Sequence, residues 1–86
     1  MEKKILRALI IDDSPDDVEV TLTTLRKAGY TLKMQRVQDA TGIQNALAKG
    51  EWDVVLCEFA LPHFSAEVAL ELIKNAGLDT PFIVLT

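Results

Sequence analysis

The stretch VVLCE at residues 54–58 decides the fold, because four apolar residues are followed directly by a carboxylate. A short strand that is apolar on both faces belongs in the interior of a sheet covered on both sides. A second apolar run, LII at residues 9–11, ends in the same way, in Asp12 and Asp13. We therefore predict two interior strands that both end in acidic side chains.

The rest of the chain repeats one pattern, in which an apolar run, a polar break and an amphipathic helix are followed by a glycine. This alternation is typical of an α/β fold. Strands are predicted at about residues 5–11, 31–37, 53–57 and 81–86, with helices between them. Strands joined by helices run parallel, and the alternating second strand suits an edge, so we predict the sheet order 2-1-3-4.

Polar residues mark the predicted helix starts. Ser14 with Asp17, and Thr41 with Gln44, have the spacing of capping boxes, and Ser65 precedes the third helix. These residues divide the chain into three strand–helix units followed by a final strand.

Composition excludes several functions. The chain has 86 residues, 49% of them hydrophobic, and a net charge of −4, with no basic stripe for nucleic acid. No apolar run approaches the ~20 residues of a membrane span, and the start has no signal-peptide pattern. Cys57 is the single cysteine. We expect one cytoplasmic domain, residues 1–86, that binds neither nucleic acid nor membrane.

The acidic residues at the strand ends predict a cation site. In the order 2-1-3-4 the winding reverses between strands 1 and 3, and ligands of open α/β sheets bind at such a reversal. Asp12, Asp13 and Glu58 would meet there, and Mg²⁺ would relieve their repulsion. The alternative is that Asp12 and Asp13 only cap the first helix, which leaves Glu58 unexplained.

Three segments together resemble the receiver domain of two-component response regulators and hybrid sensor kinases. They are LIIDDS at residues 9–14, DVVLCEFALP at 53–62 and PFIVLT at 81–86. The resemblance covers the whole chain and implies a flavodoxin-like parallel sheet, a non-enzymatic signalling function and a sensor histidine kinase or other signalling domain as partner.

The resemblance also implies site roles. Asp12 and Asp13 would hold Mg²⁺ together with Glu58 and the backbone carbonyl of Ala60. Thr86 would be the switch hydroxyl that follows the phosphoryl group. Glu58 occupies the position of the phosphoacceptor, which is an aspartate in that family.

Two departures from the family pattern change the expected function. Glu58 carries its carboxylate one methylene further out, and a misplacement of ~1 Å can cost on the order of a hundredfold in rate. We expect it to be inactive or to mimic the phosphorylated state. The last helix, strand and helix of a receiver, with their lysine, have no counterpart before residue 86, so we expect an incomplete fold that forms a homodimer or a domain-swapped dimer.

Other functions remain open from the residues alone. A receiver that accepts phosphate on Glu58 is the nearest alternative. A magnesium-dependent phosphohydrolase needs two aspartates separated by one residue, a spacing that Asp12 and Asp13 do not have. A dinucleotide-binding unit needs glycines that the first strand–helix turn lacks. A structural fragment without a bound ion is the last possibility.

Overall fold

The computed structural model describes residues 4–58, 65–77 and 80–85. Its strands are β1 (Lys4–Ile11), β2 (Tyr30–Val37), β3 (Val54–Glu58) and β4 (Phe82–Leu85). Its helices are α1 (Pro15–Lys27), α2 (Ala40–Lys49) and α3 (Ala66–Asn75). All strand pairs are parallel and the order is β2-β1-β3-β4. The predicted fold class and strand order are confirmed.

The sheet separates two hydrophobic clusters, because successive residues of a strand point to opposite faces. Leu9 and Ile11 belong to the cluster that packs under α2 and α3. Ala8 and Ile10 belong to the cluster under α1. All four side chains are buried, so β1 is an interior strand covered on both sides, as its sequence predicts.

β3 is the second interior strand, and it is one residue longer at its carboxyl end than predicted. Val55, Leu56 and Cys57 are buried, with Leu56 facing the α1 cluster and the other two facing α2 and α3. Glu58, predicted to lie in a loop, is the last residue of the strand, and its Cα partner is Leu85. The acidic side chain is therefore anchored by a strand.

The helix starts follow the predicted positions in part. Ser65 caps α3 by accepting a hydrogen bond from Val68 N at 3.3 Å, as predicted. The capping box at Thr41 is wrong, because Asp39 caps α2 and accepts from Gly42 N at 2.7 Å. Asp39 has the extended backbone that an N-cap requires, and the carboxylate is among the best N-cap acceptors.

Two hydrogen bonds between Arg7 and Asp53 join the amino end of β3 to β1. Arg7 N donates to Asp53 Oδ2 at 2.8 Å, and Asp53 N donates to Arg7 O at 2.8 Å. The hydrogen bond from Arg7 N to the carboxylate, with the Arg7 guanidinium beside it, holds the pKa of Asp53 below its usual value. The pair sets the register of β1 on β3, and this register determines which residues meet at the opposite end of the sheet.

Candidate functional site at the carboxyl ends of β1 and β3

Two carboxylates follow paired residues at the carboxyl edge of the sheet. Ile11 of β1 is the Cα partner of Cys57 of β3. Asp12 and Glu58 are each the next residue, so they lie on neighbouring strands, whose separation is about 4.8 Å. The chain leaves β1 toward β2 and returns to β3 on the other side, so this is the predicted point where the winding reverses.

Asp12 is held by its own backbone and by the turn that follows it. Its N–H donates to Val37 O at 2.9 Å, which extends the β1–β2 ladder past Ile11. Its Oδ1 accepts a hydrogen bond from Ser14 N at 2.8 Å. The side chain is only 3% exposed. Asp12 therefore orders the turn that leads into α1, and the residue stays buried at the carboxyl edge of the sheet.

Arg36 is a residue of this site that no sequence motif indicates. Its Nη1 donates to the backbone oxygen of Asp12 at 3.2 Å and to Gln38 Oε1 at 3.5 Å. The side chain of Arg36 is exposed. Only the register of β2 on β1, which pairs Arg36 with Ile10, could have placed the cation beside Asp12.

The thiol of Cys57 is near enough to Asp12 and Glu58 for both charges to affect its pKa. Burial raises the pKa of Cys57 to about 11, and the negative charges of Glu58 and Asp12 add to the increase. Its Sγ donates to Glu58 O at 3.4 Å, and Cys57 is fully buried. A protonated thiol in this place is a poor nucleophile, so we assign it no redox role.

The other predicted site residues differ in their exposure, and two of them lie outside the described part of the chain. Asp13 is exposed and follows Asp12 in the turn before α1. Glu58 is partly buried at the end of β3. Ala60 and Thr86 lie outside the described residues. The structure thus brings Asp12 and Glu58 to neighbouring strand ends and leaves the carbonyl of Ala60 and the hydroxyl of Thr86 as predictions.

The fit of a magnesium ion rests on the chemistry of the donors. Asp12, Asp13 and Glu58 offer only carboxylate oxygens, which Mg²⁺ prefers, and one or two of them suffice when waters complete the octahedron. Within residues 4–58, 65–77 and 80–85, no three His, Cys, Asp or Glu side chains are gathered into a metal-binding group. The donor type fits the ion, and the ligand set stays a prediction.

The chain is similar to curated regulatory proteins over almost its whole length. It is 32% identical over 81 residues to the transcriptional regulatory protein DltR of Streptococcus agalactiae, covering 94% of this chain and 35% of that protein. It is 25% identical over 84 residues to the transcription factor SKN7 of Saccharomyces cerevisiae, covering 98% of this chain and 13% of that protein. The chain thus spans about a third or less of these relatives.

A solved structure shares the fold. The chemotaxis response regulator CheY4 of Vibrio cholerae superimposes with a TM-score of 0.75 at 19% identity, covering 94% of this chain and 68% of that one. The chain therefore has the CheY-like, flavodoxin-like fold. No protein-family model matches it. None of the helices in the described part of the chain has the length and apolar content needed to cross a bilayer.

Proposed function

We propose that this chain is a receiver module of two-component signalling that works through protein contacts and does not undergo a phosphorylation cycle. The observation that carries the proposal is the position of Glu58. It is the last residue of β3 and, like Asp12 after β1, it follows the strand pair Ile11–Cys57 by one residue. In a receiver fold this strand end is the phosphoacceptor position.

The glutamate side chain is the reason to expect no phosphoryl transfer. In-line attack needs the acceptor oxygen within a narrow range of positions, and a strand end leaves the backbone of Glu58 little freedom to withdraw by one methylene. Its carboxylate carries about one negative charge, against the roughly two of a phosphoryl group. Glu58 is thus either inactive or a partial mimic of the phosphorylated state.

The resemblance to receiver domains also suggests the partners of this module. The module would contact a sensor histidine kinase or another signalling domain, in the cytoplasm, and would catalyse no reaction of its own. The relatives DltR and SKN7 are described as a transcriptional regulatory protein and a transcription factor, which favours a role in a regulatory chain of events. Asp12, Asp13 and Glu58 would hold Mg²⁺ with the carbonyl of Ala60, and the ion would neutralise the converging carboxylates.

Calorimetric titration with MgCl₂ tests the cation site that we propose for this module. We expect the natural chain to bind one ion, and Asp13→Ala to weaken binding at least tenfold, because a carboxylate ligand is lost while the exposed position tolerates alanine. Asp16→Ala is the matched control, since Asp16 is an equally exposed aspartate in the first turn of α1.

Two results would contradict the proposal. Equal weakening of binding by Asp13→Ala and Asp16→Ala would reduce the effect to general electrostatics. An absence of binding heat with the natural chain, in a titration that reaches millimolar Mg²⁺, would favour a structural module without a bound ion.

A further inference from the structure

A groove of about 560 Å³ lies between β1, β2 and the segment that joins α2 to β3. Arg7 of β1 and its Cα partner in β2, Lys33, form one wall. Lys49 and Trp52 belong to the other wall. Arg7 precedes Asp12 by five residues, which corresponds to about 16 Å along a strand. The groove is therefore separate from the acidic site at the carboxyl edge of the sheet.

Trp52 gives the groove an aromatic wall with a fixed position. Its ring packs against the hydrophobic cluster under α2 and α3, and its Nε1 donates to Ala46 O at 3.1 Å. Side chains alternate along a strand, so Arg7 lies on the same face of the sheet as Leu9, which belongs to that cluster. The end of α2 and the amino half of β1 thus form one continuous surface around the indole ring.

Cationic side chains outnumber anionic ones in the groove. Arg7, Lys33 and Lys49 are the cations, and Glu51 is the anion. Arg7 forms ion pairs with Asp53 at 3.3 Å and with Glu51 at 3.5 Å. Among the described residues, no carboxylate forms an ion pair with Lys33 or Lys49. The groove therefore presents two ammonium groups that no described carboxylate neutralises, in a chain whose net charge is −4.

We propose that this groove binds a small organic phosphate, with the phosphate group held by Lys33 and Lys49 and the apolar body placed against Trp52. Lysine binds phosphate as a point charge, and two lysines match the charge of nearly two that a phosphate monoester carries at neutral pH. The volume lies within the range of roughly 300–1,000 Å³ typical of small-molecule sites. An extended polyanion fits less well, because the net charge of −4 repels it.

Glu51 is the group that such a ligand displaces. Its side chain is 85% exposed and reaches the Arg7 guanidinium only at 3.5 Å. An exposed ion pair of this length contributes little, so the glutamate can turn into solvent at small cost. Arg7 keeps its contacts with Asp53 and faces the phosphate in place of Glu51.

The fluorescence of Trp52 tests the proposal, because Trp52 is the single tryptophan of the chain. Phenyl phosphate is titrated into the natural chain in a buffer without Mg²⁺, so the result does not depend on the cation site. We expect a saturable change in emission, and binding of inorganic phosphate weaker by roughly fivefold, since it has no ring to contact the indole. No saturable change with phenyl phosphate, or equal affinities for the two probes, would overturn the proposal.

Charge variants test the assigned contacts. Lys33→Gln and Lys49→Gln should each weaken the binding of phenyl phosphate by roughly fivefold, the upper end for an exposed charge pair. Glu51→Gln should strengthen it by roughly threefold, because the competing carboxylate is removed. Lys74→Gln is the matched control, since Lys74 is an exposed lysine of α3 outside the groove.

Equal weakening by all three lysine variants would overturn the groove as the binding site and leave a general charge effect. Weaker binding by Glu51→Gln would overturn the displacement of this side chain by the ligand. All four substituted side chains are exposed, so the variants should fold, and circular dichroism checks this before each titration.

Discussion

Replacement of Ile11 by alanine is expected to lower the free energy of unfolding by about 2–5 kcal/mol, the range measured for large-to-small changes in a close-packed core. Ile11 is fully buried and lies between Val37 of β2 and Cys57 of β3. Removal of three side-chain carbons leaves a cavity under α2 and α3 that the neighbouring strands cannot close. A domain of this size has a total stability of roughly 4–13 kcal/mol, so much of it would be lost.

Ile5→Ala is the control for this prediction, because it makes the same substitution in the same strand at a side chain that is 56% exposed. Urea denaturation followed by circular dichroism measures both variants. We expect the midpoint to fall strongly for Ile11→Ala and by only a small amount for Ile5→Ala. Equal shifts would show that the buried cluster under α2 and α3 does not hold the sheet together.

The Cys57 thiol is expected to be at least a hundredfold less reactive in the folded chain than in urea. It is fully buried, and its pKa is raised to about 11 by burial and by the charges of Glu58 and Asp12. The raised pKa keeps the reactive thiolate scarce, and burial keeps the sulfur away from the reagent. Modification by iodoacetamide at pH 8, followed by intact mass, measures the two rates, and similar rates would contradict the placement of Cys57.

The same thiol gives a pH dependence with a definite sign. The folded pKa of about 11 lies above the ordinary value of 9.0, so the unfolded chain releases the proton first as the pH rises. The stabilisation is therefore complete below pH 9.0 and is lost as the pH rises toward about 11. Cys57→Ala should show a smaller loss of stability over this interval, and an identical loss would assign the effect to other groups.

The fold could be predicted from the sequence because its signals are local and strong. Residues 9–11 and 54–57 are apolar without interruption, and the polar alternation of residues 31–37 marks an edge strand. The end of α1 could also be predicted, because glycine readily adopts the left-handed conformation that ends a helix. The positive φ of Gly29, 99°, agrees with this prediction. What failed was local detail, such as the cap of α2, where Asp39 and Thr41 are both acceptable cap residues.

The candidate site could be predicted only in part. Asp12 and Glu58 follow apolar strands, so their convergence follows from the strand order. The contact of Arg36 with the backbone of Asp12 depends on the register of β2 on β1, which no local pattern specifies.

Phosphoryl acceptance tests the central claim most directly. The natural chain and Glu58→Gln are incubated with acetyl phosphate and MgCl₂ at neutral pH, and their intact masses are measured at intervals. We predict that neither chain gains a phosphoryl group, because the Glu58 carboxylate is displaced by one methylene from the acceptor position. The gain of one phosphoryl group by the natural chain, absent from Glu58→Gln, would contradict the account and make Glu58 a working phosphoacceptor.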